Sequence, residues 1–277
     1  MIKILMPLDF SPCSLNALVF AIQMTKVLEG KLVLLHVVEP MGGDATMFID
    51  EHMIKDELSQ GRQKMSDVMD EVEDIDLIKK ESLILTGFPV EQILETVKEK
   101  NISLIVMGTE GTNNKFQDLL GSNTYNVIRK TNCAVMSIPS GANNFNFKKI
   151  GLAADLHKKE NVHMLTLIKH IAKYFNSDIN FLHVSKAEHI SLEEDARSEA
   201  VLWLSEHFKG FNHSFVNLSS KDDIAQTLDQ YTTQNDIDLI AISPGKHGLF
   251  DLLIKGSTTR KLVLHAHLPV LTLPADF

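Results

Sequence analysis

Unbroken apolar runs alternate along this chain with stretches whose apolar positions recur every three or four residues, a rhythm that predicts strands and helices in regular succession. Lys3 to Leu8 reads as a first strand ended by Pro7-Leu8-Asp9. Ser11-Pro12 then supplies an N-cap and a proline suited to the first helical position, and Leu15, Leu18, Ile22, Thr25 and Leu28 continue at helical spacing to a stop at Gly30. Lys31 to Val38 is a second strand, followed by a loop from Pro40 to Asp50 and a long helical pattern from Glu51 to Val72. Leu77 to Thr86 makes a third, less regular strand; Pro89 opens a helix carrying Ile93, Leu94 and Val97; Leu104 to Met107 is a fourth strand and Ala134 to Ile138 a fifth. Strands this apolar are buried on both faces, and their alternation with helices implies a parallel sheet covered on each side.

The Gly- and Asn-rich segment Ser140 to Phe147 reads as a linker, after which the pattern restarts. Lys149 to Asp155 repeats Lys3 to Asp9, Phe181 to Val184 repeats Leu34 to Val37, Leu239 to Ile242 repeats Leu104 to Met107, Gly256-Ser257 repeats Gly121-Ser122, and Pro269 to Pro274 repeats the strand at Ala134 to Pro139. Ordered matches with one large change of offset mark a tandem duplication, divided into residues 1–143 and 144–277. The shortening falls between the second and fourth strands of the second half, which makes the Pro40 to Val72 segment the surplus in the first.

Composition narrows the function classes. A length of 277 residues suits two domains, and 44% hydrophobic residues suffice for two cores. No apolar run approaches the ~20 residues of a membrane helix, and MIKILMPLDF leads into an acid rather than a signal-peptide cleavage site, so the expectation is a soluble, cytoplasmic protein without a membrane partner. A net charge of −9 speaks against general nucleic-acid binding, which rests on neutralising phosphates. Two distant cysteines, Cys13 and Cys133, make neither a disulfide framework nor a zinc motif and read as buried apolar residues.

The stretch with the most chemistry is Leu104 to Asn123. The apolar strand runs into Gly108-Thr109-Glu110-Gly111, and Gly121-Ser122 opens the amphipathic segment Thr124 to Lys130, giving G-x2-G-x9-G-S between a strand and a helix. Glycines at a strand exit let backbone N–H groups approach a ligand, and a helix start favours a phosphate. In a doubly wound sheet the ligand lies beyond the carboxyl ends of the strands where their order reverses, so Asp9, Gly108 and Gly111 are expected to converge. Considered alone, Asp9 is equally a helix cap for the segment after Ser11.

This spacing resembles the nucleotide-binding motif of the universal stress protein family, in its ATP-binding branch, and the repeat extends the resemblance over both halves. The resemblance implies two tandem Rossmann-like domains of the adenine nucleotide alpha hydrolase-like class, each with a five-stranded parallel sheet of order 3-2-1-4-5 between helix layers. It implies ATP as ligand, with Mg²⁺ or Mn²⁺ on its phosphates. Pro7 and Asp9 would then line the nucleoside end, Val37 would offer its backbone to the adenine, and Met107 would meet the ligand at the strand exit. Gly108, Gly111, Gly121, Ser122 and Asn123 would hold the ribose and phosphates through backbone N–H groups and the Ser122 hydroxyl. The last strands of the halves would pair as the family's dimer strands do, so that one chain imitates a homodimer. A homodimer of whole chains and an unidentified protein partner are further expectations.

The second half departs from the motif. Ser243 and Lys246 stand where the first half has Gly108 and Gly111, while Asp155, Gly256 and Ser257 persist and Gly245 and Gly248 follow close by. A weak or empty site is the expectation there, against a rearranged loop that still cradles an anion. His265 and His267, with His247, invite a metal reading, but without His-Glu-x-x-His they read as helix-end and loop residues, and no metal ligand set is assigned. Neither G-x4-G-K-[ST] nor G-x-S-x-G occurs, so dedicated catalysis is not expected; slow ATP turnover and a nucleotide-independent scaffold stand as alternatives to an ATP-responsive stress or signalling module.

Overall fold

A computed structural model describes residues 1–39, 51–109, 122–153, 162–186, 194–220, 224–242 and 267–274. The chain divides into two units, Met1–Ser140 and Gly141–Phe277.

The first unit runs β1 (Lys3–Pro7), α1 (Pro12–Val27), β2 (Lys31–Val38), α2 (Glu51–Glu71), β3 (Lys79–Thr86), α3 (Pro89–Lys100), β4 (Leu104–Gly108), α4 (Ser122–Lys130) and β5 (Ala134–Ile138). Its strands are parallel and ordered β3-β2-β1-β4-β5. The reversal of direction after β3 puts the helices on opposite faces of the sheet, because right-handed crossovers to the left and to the right emerge on different sides. Ile93 of α3 and Val127 of α4 bury themselves with Leu5, Val33, Leu35, Ile105, Met107 and Val135 on one face. On the other, α2 passes His36 and Ile84, the pleat neighbours of Val37 and Leu85.

The second unit repeats the plan with β6 (Lys149–Ala153), α5 (Val162–Phe175), β7 (Asp178–Lys186), α6 (Glu194–His207), β8 (His213–Ser220), α7 (Ile224–Gln234), β9 (Leu239–Ile242) and β10 (Val270–Thr272). Its strands are parallel in the order β8-β7-β6-β9-β10. Both units therefore have the expected order 3-2-1-4-5. Among the described residues no helix is long and apolar enough to cross a membrane.

Local chemistry sets the boundaries. Ser11 caps α1 by accepting the Ser14 N–H at 3.2 Å, and Pro12 starts the helix. At its far end Glu29, not Gly30, takes the left-handed conformation (φ 47°). Gly30 instead packs so closely on the Ile2 carbonyl that a Cβ would stand 2.8 Å from the oxygen. The third strand starts later than the pattern suggested: Ile75–Leu77 is a 3-10 turn entered through left-handed Asp74, and Leu77 points out at 74% exposure.

Cys13 and Cys133 are both buried thiols. Burial pushes Cys133 up from 9.0 to about 12, with the Ile105 backbone N–H, a donor that favours the thiolate, pulling the other way. The sign follows from which state ionises first. Above 9.0 the unfolded thiol loses its proton while the folded one keeps it, so stability falls by about 1.4 kcal/mol per pH unit until about 12. Between pH 8 and pH 10 the wild type should therefore lose about 1.4 kcal/mol more than Cys133→Ala in urea unfolding. Parallel losses in the two proteins would show that the thiol does not titrate between the states.

Candidate functional site

The reversal of strand order lies between β1 and β4, and there the hydrogen-bonded pairing ends early. β1 pairs with β2 as far as Pro7↔Leu35, and β4 with β5 as far as Gly108↔Ile138. Between β1 and β4 the pairing stops at Leu5↔Ile105. The cause can be read from the backbone. Leu8 N–H donates to Leu35 O on the β2 side, whereas Lys3 O accepts from Ser103 N on the β4 side. Since successive residues of a strand face opposite neighbours, position 7 faces β4, and Pro7 has no N–H to give it.

The second unit provides an internal control. Ala153 occupies the corresponding place, has its N–H, and β6 stays paired with β9 through Ala153↔Ile242. The early end of pairing is thus a property of the first unit that its duplicate lacks over the described residues. Pro7→Ala restores the missing donor. The variant should show a protected amide at position 7 in hydrogen exchange, with stability within about 1 kcal/mol of wild type, because a gained hydrogen bond offsets the freer unfolded chain. An amide at position 7 that exchanges as fast as a loop amide would mean that the proline is not what ends the pairing.

At these strand ends stand several of the residues singled out above. Val37 packs its side chain against the core, and its N–H and C=O lie on the β1 side of β2, two residues past the last β1–β2 pair. Asp9 is exposed, and its Oδ1 accepts the Ser11 N–H at 2.9 Å. It braces the turn before α1, while the cap itself is Ser11. Between them Phe10 holds φ at 61°, a left-handed conformation that costs a bulky residue roughly 1–2 kcal/mol.

At the exit of β4 the Met107 side chain is 6% exposed and belongs to the core, so what it can offer a ligand is its backbone. Gly108 has a packing reason to be glycine. A Cβ there would stand 2.8 Å from Cys13 Sγ and 3.0 Å from Cys13 O, where the first turn of α1 crosses the strand. Asn16 of that helix donates to Pro139 O at 3.3 Å and Thr109 N–H donates to Ile138 O at 3.0 Å, so α1, β4 and β5 are tied at one point. Thr124 Oγ1 donates to Gly108 O at 2.7 Å and links the first turn of α4 to the strand exit. Asn123 is exposed at the start of α4, whose first residue is Ser122.

Gly111 and Gly121 lie outside the described residues, as do Asp155, Ser243, Gly245, Lys246, Gly248, Gly256 and Ser257 of the second half. Pro7, Asp9, Val37, Met107 and Gly108 are brought to the carboxyl ends of β1, β2 and β4. Sequence placed Cys13 in the core, as found, but gave no signal of its contact with Gly108, and Thr124 was legible only as a hydroxyl in the first turn after Gly121-Ser122. His267 lies 3.4 Å from Asp229, while His247 and His265 lie outside the described residues, among which no cluster of three metal-ligating side chains occurs.

Each unit is thus a doubly wound α/β domain, and in the first the pairing ends early at the topological switch point, where such folds hold ligands. The chain belongs to the universal stress protein family, whose model matches residues 1–139 and 146–274. The universal stress protein MJ0577 of Methanocaldococcus jannaschii is 29% identical over 152 residues, 49% of this chain and 93% of the relative. Universal stress protein YxiE of Bacillus subtilis is 26% identical over 144 residues, 49% of this chain and 97% of its own length. Among solved structures, a universal stress protein of Archaeoglobus fulgidus aligns over 99% of this chain and 98% of its own, with a TM-score of 0.76 at 22% identity. That likeness extends the tandem fold over the full length.

Proposed function

We propose that the first unit binds ATP, with Mg²⁺ or Mn²⁺ on its phosphates, at the open ends of β1 and β4, and that the chain acts as a nucleotide-responsive stress or signalling module. The observation that supports this most is the early end of β1–β4 pairing at Leu5↔Ile105, set against the full pairing of β6 with β9. A crevice at the switch point leaves backbone groups without strand partners, which a polar ligand can satisfy. In this reading the Val37 peptide meets the base, Pro7 and Asp9 flank the nucleoside, the backbone at Met107 and Gly108 meets the ribose, and Gly111, Gly121, Ser122 and Asn123 take the phosphates.

In this proposal the module responds to occupancy, and slow ATP turnover stands as the alternative. Occupancy shifts an equilibrium between two arrangements of the chain only by as much as ATP's affinity differs between them. The closed β6–β9 pairing favours a different role for the second unit, that of a partner-binding scaffold without nucleotide. Isothermal titration of the nucleotide-stripped chain with Mg·ATP tests the proposal. One site per chain is expected; two sites would give the second unit a nucleotide of its own, and no heat at millimolar ATP would leave the scaffold reading.

A further inference from the structure

His36 is a polar residue inside the otherwise apolar strand β2, and its half-buried ring has a defined task. Its Nδ1 lies 2.7 Å from Leu8 O, and since a carbonyl only accepts, Nδ1 carries the proton. The Phe10 ring lies on it at 4.5 Å between centroids, and α2 passes its edge at Gly61, where a Cβ would stand 3.0 Å from Cδ2. Lys64 of α2 sits 5.8 Å from the centre of the Phe10 ring. The imidazole is held in place by Phe10 and α2 together.

Parallel pairing gives the Leu8 carbonyl a different natural donor. Leu8 N–H bonds Leu35 O, and the next rung would be Val37 N–H to Leu8 O. That rung is absent from the backbone bonds of the described residues, and β1–β2 pairing ends at Pro7↔Leu35. The His36 ring stands at the acceptor instead.

We infer that His36 is a positioning residue for the base end of the crevice: by taking the Leu8 carbonyl it ends the β1–β2 ladder one rung early and leaves the Val37 peptide to a ligand. N–H and C=O of one strand residue point the same way, so Val37 presents a donor beside an acceptor. That pair fits a heterocycle with a ring nitrogen next to an exocyclic amine. Phe10 accepts a left-handed backbone in the same arrangement, and its ring keeps the imidazole turned toward Leu8. The ligand half of this inference rests on the proposed nucleotide site; the ladder half does not.

The test therefore has two arms on the full chain, with His36→Leu, which removes the donor, and His36→Asn, whose amide can replace Nδ1–H. In the ligand-free arm, the Val37 amide of the wild type should exchange at least tenfold faster than that of Leu35. His36→Leu should slow it at least tenfold as Val37 N–H captures Leu8 O, and His36→Asn should resemble the wild type. A Val37 amide as protected as Leu35 in the wild type, or unchanged in His36→Leu, overturns the inference. In the ligand arm, His36→Leu should weaken Mg·ATP about tenfold, the worth of one hydrogen bond, and change inorganic tripolyphosphate less than twofold. Equal weakening of both would make His36 a general support of the site and overturns the base-end role. Exchange as expected without any ATP binding in the wild type would uphold the ladder device and overturn the nucleotide reading.

Discussion

Gly108→Val should lower the stability of the first unit by about 3 kcal/mol, the upper range for forcing carbon into a packed interior. The first added carbon already meets Cys13 Sγ at 2.8 Å, Cys13 O at 3.0 Å and Cys13 C at 3.1 Å. A thiol can swing aside; a helix backbone anchored through Asn16 and the Ser11 cap cannot do so cheaply. Adding Cys13→Ala to Gly108→Val should therefore recover less than half of the loss. A chain of two units is not bound to unfold in one step, so the quantity to read is the exchange of the slowest β4 and β5 amides. Unchanged protection in Gly108→Val would mean that α1 slides off the strand at little cost and that glycine is present there for the ligand alone.

Gly111→Val carries the largest expected effect on binding. If N–H groups of this loop take the phosphates, a branched side chain removes both the close approach and the backbone freedom it depends on. Mg·ATP should bind at least a hundredfold more weakly than to wild type, with the far-UV circular dichroism unchanged. Undiminished affinity in a folded variant would move the phosphate site away from the loop. The two substitutions separate two meanings of glycine in one motif: Gly108 is required by the protein's own packing, and Gly111 is assigned to the ligand.

Much of this architecture was written in local pattern. Buried parallel strands carry unbroken apolar runs, and Lys31 to Val38 and Leu104 to Met107 could be placed almost to the residue. The internal repeat then supplied the second unit, and the order of strands came with the family resemblance. The start of β3 was less legible, because a 3-10 turn at Ile75–Leu77 uses residues as apolar as the strand that follows. Of the two readings of Asp9, the cap belongs to Ser11, and the Asp9 carboxylate braces the turn beside it.

The contacts that sequence did not yield are those between residues far apart in the chain. Nothing around Cys13 indicates that Gly108 lies beneath it, since that meeting depends on how α1 crosses the sheet. Pro7 was assigned to the site by resemblance, and its physical effect, a missing donor toward β4, appears only once the facing of each strand residue is known. His36 did leave a trace: a histidine interrupts the apolar run at the same place in both halves, at His36 and His183. A polar side chain kept in a buried strand calls for a partner, and Leu8 O is that partner for His36.

Nucleotide bound to the first unit should lie where β1–β4 pairing ends. The most direct measurement is a titration of the isotopically labelled, nucleotide-stripped chain with Mg·ATP, followed through its backbone amide shifts. Saturating shifts are expected at Val37, Met107, Gly108 and Asn123, with Ala153 and Ile242 unmoved. Shifts confined to Ala153, Ile242 and their neighbours, or none at millimolar Mg·ATP, would contradict that placement.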